Sequence, residues 1–328
     1  MLPSPAGPAQ YPVRPFEDEK GACVMVMELL ERGLPALIRD LWIAARPFSL
    51  SLALYATWVP LALAVRDQLL PGDPPGIGVL RAILVTLSGL AVQAATNLIN
   101  DYFESGIKNA PESRRRYRFL GRERGAFEIL VFLLALACFG FTALAGLYLV
   151  LTVTPALLWI GALGLVGGYG YTGEPVVYKR YGLGAVLSFA LLGPLMNYGA
   201  WLGVGGAPSW RPVLVALPTS LLIPAMMLAN EIRDVERDAD LGIRTLTVRI
   251  GRGAGQALYD GLLILTFGWA AALVPLGLAP AATLVSWAAL PLALRARIRV
   301  AGRRRDAIPA TNLLHLVFGA LYIGGLLW

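Results

Sequence analysis

The chain has 328 residues, 57% of them hydrophobic and only 15% charged, with a net charge of +7. Soluble domains carry about 25% charged residues, so this composition excludes an ordinary water-soluble enzyme and reads as membrane-embedded. The basic excess lies in loops between apolar segments, which favours anionic lipid and phosphate-bearing substrate as partners over nucleic acid.

The first twenty residues, MLPSPAGPAQYPVRPFEDEK, are proline-rich and lack an apolar stretch, so they are no signal peptide, and disorder is expected there. Residues 24–41, VMVMELLERGLPALIRDL, read as an amphipathic segment lying at the membrane interface. Together they form an N-terminal region, 1–41, ahead of a transmembrane domain over 42–328.

A bilayer-spanning helix needs roughly 20 apolar residues. Such segments occur at about 47–65, 79–100, 127–150, 155–172, 183–204, 212–230, 257–277, 279–294 and 311–328, which predicts an all-α protein of nine transmembrane helices bundled around a central apolar cavity. The eighth, APAATLVSWAALPLAL, is short and contains prolines. Basic residues test the count, because they accumulate on the cytoplasmic side. With nine spans, 25 Lys or Arg fall on one side, and only Arg66, Arg81 and Arg211 on the other. The expected topology is therefore a cell-membrane protein with its N-terminus in the cytoplasm and its C-terminus outside. Cys23 and Cys138 have no metal-like spacing, and His315, the single histidine, is expected to be packed inside the bundle.

Spans two and six both run toward the cytoplasm and both end in acid. The first ends QAATNLINDYFESGIK (93–108), the second NEIRDVERDADLGIRTLTVR (230–249), as in a weak parallel internal repeat. Residues three or four apart share a helix face, so Asn97, Asn100 or Asp101, and Glu104 can line one stripe, and Asn230 or Glu231, Asp234 and Asp238 another. Two such stripes facing each other at one membrane depth would gather negative charge that only cations can neutralise. All-oxygen donors suit Mg²⁺, which binds through a few carboxylates plus substrate phosphate oxygens. The residues thus suggest a Mg²⁺–diphosphate site at the cytoplasmic mouth of an apolar chamber. The simpler alternative is helix-end carboxylates paired with neighbouring arginines, as Glu236 and Asp240 can be with Arg233, Arg237 or Arg244.

Arg46 in AARPFSL, Lys179 and Arg180 in YGYTGEPVVYKRYGLG, and Arg244 in DLGIRTL supply cations on the same side, either to grip phosphate or only to hold topology. Tyr169, Tyr171, Tyr178, Tyr181 and Tyr198 are either an interfacial aromatic belt or faces that stabilise a cationic intermediate.

NLINDYFE, YGYTGEPVVYKRYGLGAVLSFALLGPLMNYGAWL and NEIRDVERDADLGIRTLTVRIG resemble the UbiA-type intramembrane prenyltransferases, over the chain from about residue 42 onward. The resemblance implies a nine-helix bundle that transfers a polyprenyl group from a diphosphate donor to a lipophilic, often aromatic, acceptor with Mg²⁺. It implies catalytic roles for Asp101, Asp234 and Asp238, and metal ligation by Asp101, Glu104, Asp234 and Asp238. Substrate contacts would come from Asn97, Asn100, Arg46, Tyr171, Lys179, Arg180 and Arg244. The family's first motif reads Asn-Asp-x-x-Asp-x-x-x-Asp; here Glu104 replaces the second Asp, and Lys108 stands where the last acid would. The proton acceptor is left open between Asp101 and a substrate carboxylate. YTGEP with GPLMNYG looks most like the branch that prenylates 1,4-dihydroxy-2-naphthoate in menaquinone biosynthesis. The other acceptors are 4-hydroxybenzoate, homogentisate, haem, chlorophyllide or a glycerol phosphate lipid, and no obligate protein partner is implied.

Among rivals, a CDP-alcohol phosphotransferase needs a DG and AR pattern that Asp234-Val-Glu-Arg-Asp238 lacks. An ion-coupled transporter would place its acids nearer the bilayer midplane at broken helices rather than at span ends.

Overall fold

The computed structural model describes residues 13–15, 19–71, 74–104 and 116–328, with side chains described for residues 22–71, 74–103 and 116–328. Helix α1 (Glu19–Glu31) and helix α2 (Leu34–Ala45) divide the amphipathic segment at Gly33, whose φ of 80° is open to glycine but strained for other residues. The expectation of disorder over 1–20 falls mostly outside the described residues; within it, Val13–Pro15 forms strand β1.

The apolar helices begin at α3 (Pro47–Arg66). The chain continues through α4 (Ile77–Glu104), α5 (Ala126–Thr152), α6 (Ala156–Gly170), α7 (Gly184–Ala190), α8 (Met196–Gly203), α9 (Arg211–Asp240), α10 (Leu246–Ile250), α11 (Arg252–Ala272), α12 (Leu290–Ala301) and α13 (Ala307–Leu327). Each of the nine apolar segments is helical, yet by length and composition seven helices among the described residues could cross a membrane. Of the other two, α6 has 15 residues, and α11 carries Arg252 and Asp260. The sixth crossing element, Ala281–Ala301, joins a 3-10 stretch (Ala281–Ala289) to α12, so the expected eighth span runs seven residues further than 279–294.

Helices dominate because hydrocarbon offers no partner for backbone polar groups, and a helix satisfies them internally. Outward faces are apolar: Leu144, Leu151, Trp159, Val166 and Ile264 are each more than two-thirds exposed. In water such a surface would aggregate, whereas lipid tails accept it. The centre is α9, where Leu222, Ala225, Leu228, Ala229 and Ile232 are fully buried against α3, α11 and α13.

The span Gly184–Gly203 is kinked. Leu191–Leu195 is π-helical, and Gly193 leaves helical geometry just before Pro194, which has no N–H to donate. Asn197 repairs part of the break by donating Nδ2 to the Gly193 carbonyl (2.7 Å) and to Ser220 Oγ (3.2 Å).

The loop after α4 departs from the all-helical expectation. β2 (Arg116–Phe119) and β3 (Arg122–Arg124) form a hairpin around Leu120 and Gly121, both at positive φ, and β1 pairs parallel to β2. Glu128 anchors the hairpin to α5, accepting from the Gly125 N–H (2.7 Å) and pairing with Arg116 and Arg124.

Candidate active site

Helix α2 cannot run on into α3, because Pro47 has no N–H and restricts the residue before it. Arg46 makes the corner in the left-handed region (φ 50°, ψ 64°), capping both helices. For a non-glycine residue this costs on the order of 1 kcal/mol and persists only where surroundings enforce it. Those surroundings come from the end of α4. Asn97 Nδ2 donates to the Ala45 carbonyl and to Ser49 Oγ, each at 2.8 Å. Ser49 Oγ in turn donates to the Arg46 carbonyl (2.9 Å).

One turn further along α4, Arg46 Nη2 donates to Asn100 Oδ1 at 2.6 Å. An arginine only donates, so Asn100 must present its oxygen to Arg46, and its amide nitrogen points elsewhere. That nitrogen is buried and has no partner among the described residues. Asp101 follows, 9% exposed, and Tyr102 carries the Arg124 guanidinium over its ring at 4.3 Å. The backbone of Glu104 closes α4, but its side chain, and Lys108, lie outside the described residues.

The second acidic end belongs to α9, which stops at Gly242 (φ 70°), with the Ile243 N–H returning to the Asp238 carbonyl (2.8 Å). Arg233 grips Asp234 with two contacts, Nε–Oδ1 at 2.8 Å and Nη2–Oδ2 at 2.6 Å, and also reaches Asn230 Oδ1 (2.9 Å). Asp238 is half-buried, within electrostatic range of Arg233 and Glu231. Glu236 pairs with Arg303, from the turn between α12 and α13, rather than with an arginine of its own helix.

The end of α6 and the loop after it touch both α4 and α9. Phe103 meets Tyr169 edge-on (6.3 Å), and the Tyr171 hydroxyl contacts Met227 Sδ of α9 (3.8 Å). Lys179 Nζ lies 5.6 Å from the Tyr171 ring centroid and acts electrostatically on Glu231. Gly182 (φ 76°) lets this loop approach the Arg244 carbonyl and the Arg249 side chain; a Cβ there would lie 2.7 Å from Arg249 Cδ. Arg180 and the Arg244 side chain are exposed, and Arg180 sits in the field of Glu174. Among the tyrosines, burial raises the Tyr178 phenol well above its ordinary value, while Tyr198 stacks on Trp210 (5.9 Å) near the start of α9, at the far end of that helix.

The structure therefore gathers Arg46, Asn97, Asn100 and Asp101 in one group, and Tyr171, Lys179, Glu231 and Asp238 in another, with Tyr169–Tyr171 between them; Asp234, held by Arg233, lies at the same end of α9. Among the described residues, no three His, Cys, Asp or Glu side chains lie close enough together to hold a metal ion. Mg²⁺ does not require such a cluster, since it keeps waters and binds through one or two carboxylates plus substrate phosphates. The hard oxygens of Asp101, Asp234 and Asp238 fit that chemistry; Asn100, its oxygen committed to Arg46, does not.

Sequence reasoning placed Glu231 only on an acidic stripe and missed Ser49, Gln93 and the Arg122–Glu174 pair altogether. Glu231, buried, accepts the Thr247 N–H at 2.9 Å and so ties α9 to the loop bearing Arg244. Ser49 and Gln93 support Asn97. Arg122 clasps Glu174 through both carboxylate oxygens (2.6 and 2.7 Å), which holds the Glu174 carboxyl below its ordinary value and joins the hairpin to the loop after α6. Gln93 lies one turn before Asn97 on α4, but the other contacts join residues distant in sequence or a backbone group, which spacing does not signal. His315 is buried as expected, against Ser51 and Tyr55.

Deeper in the bundle lies an apolar cavity of about 140 Å³, between α3, α4, α5, α6 and the kinked span, lined in part by Thr57, Gly89, Thr142, Gly164 and Met196. Gly89 precedes Asn100 by three helical turns on the same face of α4, about 16 Å away along the axis.

Residues 52–320 match the UbiA prenyltransferase family. A 1,4-dihydroxy-2-naphthoate octaprenyltransferase of Mycobacterium tuberculosis (strain ATCC 25618 / H37Rv) is 33% identical over 75% of this chain and 85% of its own. The apo structure of a UbiA homologue from Aeropyrum pernix K1 superposes with a TM-score of 0.61 at 18% identity, covering 84% of this chain and 97% of that one. A UbiA homologue from Archaeoglobus fulgidus bound to Cd²⁺ gives 0.55 at 14% identity, covering 86% and 98%. The chain belongs to the UbiA prenyltransferase family: it is a prenyltransferase and a multi-pass membrane protein.

Proposed function

We propose that this family member transfers a polyprenyl group from a polyprenyl diphosphate to 1,4-dihydroxy-2-naphthoate, a step of menaquinone biosynthesis, with Mg²⁺ as cofactor. The observation that carries this reading is the meeting of two acid-tipped helices, α4 and α9, through Tyr169 and Tyr171, with Arg46 and Lys179 beside them. The acceptor follows from the M. tuberculosis relative and from the YTGEP and GPLMNYG stretches.

Asp101, with Glu104, and Asp234 and Asp238 would hold the metal, which when bound stabilises negative charge on the departing diphosphate. Arg46 and Lys179 bind the diphosphate oxygens, with Arg180 and Arg244 completing the cationic rim. The Asn100 amide donates to a diphosphate oxygen, a partner that its buried nitrogen otherwise lacks. Asp234 would leave its contact with Arg233 to help hold the metal, a small cost because the pair is partly exposed. The Tyr171 face stabilises the allylic cation, and the apolar cavity below Asn100 keeps water out and takes the prenyl tail. The base is Asp101 or the acceptor carboxylate.

The protein is read as nine spans in the cell membrane with the site on the cytoplasmic side, supported by helices at all nine apolar segments and by the one-sided basic loops. Residues 42–328 form the catalytic domain, and α2 lies in the interface with Leu34, Ile38 and Trp42 outward, each more than half exposed. The test is competition: offered equal amounts of 1,4-dihydroxy-2-naphthoate, 4-hydroxybenzoate and homogentisate with one labelled prenyl diphosphate, the protein should prenylate the naphthoate. A dominant product from another acceptor would replace the proposed substrate.

A further inference from the structure

Two neighbouring asparagines of α4 hold different parts of one residue. Asn100 takes the guanidinium of Arg46, while Asn97 takes the Ala45 carbonyl before it and the Ser49 hydroxyl after it, which itself donates to the Arg46 carbonyl. Gln93, one turn earlier, donates Nε2 to Asn97 Oδ1 (3.4 Å), which fixes the amide so that its nitrogen faces the corner. Asn97 is 6% exposed, and both its hydrogens go to protein acceptors. It therefore has no donor left for a substrate. Arg46 is the residue under strain, left-handed without being glycine, and its guanidinium is aimed by the backbone that Asn97 grips.

We infer that Asn97 is a positioning residue rather than a substrate ligand: it pins the α2–α3 corner in its left-handed form and thereby aims Arg46 at the diphosphate. This rests on the proposed role of Arg46 in binding the prenyl diphosphate. Without the two bonds the corner relaxes, the guanidinium leaves Asn100, and donor binding suffers while the acceptor site is untouched.

A double-mutant cycle tests this on the full-length protein in liposomes. Asn97→Ala and Asn97→Asp should each raise the KM for the prenyl diphosphate at least fivefold and leave the acceptor KM within twofold. In an Arg46→Ala background, Asn97→Ala should add less than twofold. Multiplicative effects of the two substitutions, or an effect on the acceptor KM alone, would overturn the inference. Thermal midpoints provide an arm independent of turnover. Glycine adopts the left-handed corner freely, so the stability lost through Asn97→Ala should shrink when Arg46→Gly is also present; an equal loss in both backgrounds contradicts the brace. If the wild-type protein transfers no prenyl group, the proposed function fails, and the thermal arm still decides whether Asn97 braces the corner.

Discussion

Arg46 reaches Asn100 across the α3–α4 interface, donating Nη2 to Oδ1 at 2.6 Å. The bond fixes which way a motif asparagine faces. Its oxygen goes to the cation, and its nitrogen is left buried and unmet. Asn100→Asp therefore separates two roles. An additional acid at a metal site would preserve or tighten Mg²⁺ binding. In the present account it instead forms a closed ion pair with Arg46 and removes the amide donor, so the KM for prenyl diphosphate rises. Charge-assisted hydrogen bonds contribute about 1.5–3 kcal/mol, so a rise of roughly 10- to 100-fold is expected in steady-state kinetics.

Asp234 and Asp238 are both half-buried near the end of α9, and the proposed metal role has them act on charge rather than hold the fold. Asp234→Asn and Asp238→Asn should each lower kcat by roughly 10²–10³-fold, the scale for losing one group that stabilises developing charge. Their thermal midpoints should stay near wild type. Wild-type turnover in either variant would remove that residue from the metal assignment.

Glu231 differs from its acidic neighbours. It is buried, and the Thr247 N–H depends on it. Glu231→Ala leaves that donor unsatisfied and should cost about 1–3 kcal/mol of stability, read as a lower unfolding midpoint in detergent. Glu231→Gln keeps an acceptor oxygen and should recover most of the loss.

The Arg122–Glu174 clasp carries a pH signature. Arg122 lowers the Glu174 carboxyl below its ordinary value, so the clasp contributes stability above the unfolded-state range, about pH 4.3. That contribution disappears as the pH falls through the lower, folded-state value. Glu174→Gln should therefore be less stable than wild type at pH 7, and the two should converge as the pH falls below the folded-state value of the carboxyl. Added salt should narrow the gap at pH 7, because the pair is exposed.

Much of this architecture is legible in the chain. Every apolar segment is a helix, because burial in lipid leaves a long hydrophobic run no other way to satisfy its backbone. The acids of α4 and α9, and Arg46 in Arg-Pro, stand out for a related reason: charge at the end of an apolar run is conspicuous. Periodicity is silent where the outcome depends on contacts between distant residues. The hairpin at Leu120–Gly121 lies in a charged loop without alternation, and the π-helical kink at Gly193–Pro194 depends on Asn197 to satisfy it. Glu236 finds Arg303 across 67 residues, where sequence proximity points to Arg233. Asn97 is visible as a motif residue, but its partners are a backbone carbonyl and a hydroxyl at a corner that no helical pattern encodes.

The central claim is that the two acidic helix ends form one Mg²⁺-dependent diphosphate site. It is tested most directly by measuring prenyl transfer in liposomes from a labelled polyprenyl diphosphate to 1,4-dihydroxy-2-naphthoate, while Mg²⁺ is titrated in and then chelated. The account predicts a prenylated naphthoquinol, formed with loss of the acceptor carboxyl group as carbon dioxide, and inorganic diphosphate, all lost on chelation and all restored by Mg²⁺. Product formation that persists at full rate under chelation would contradict it.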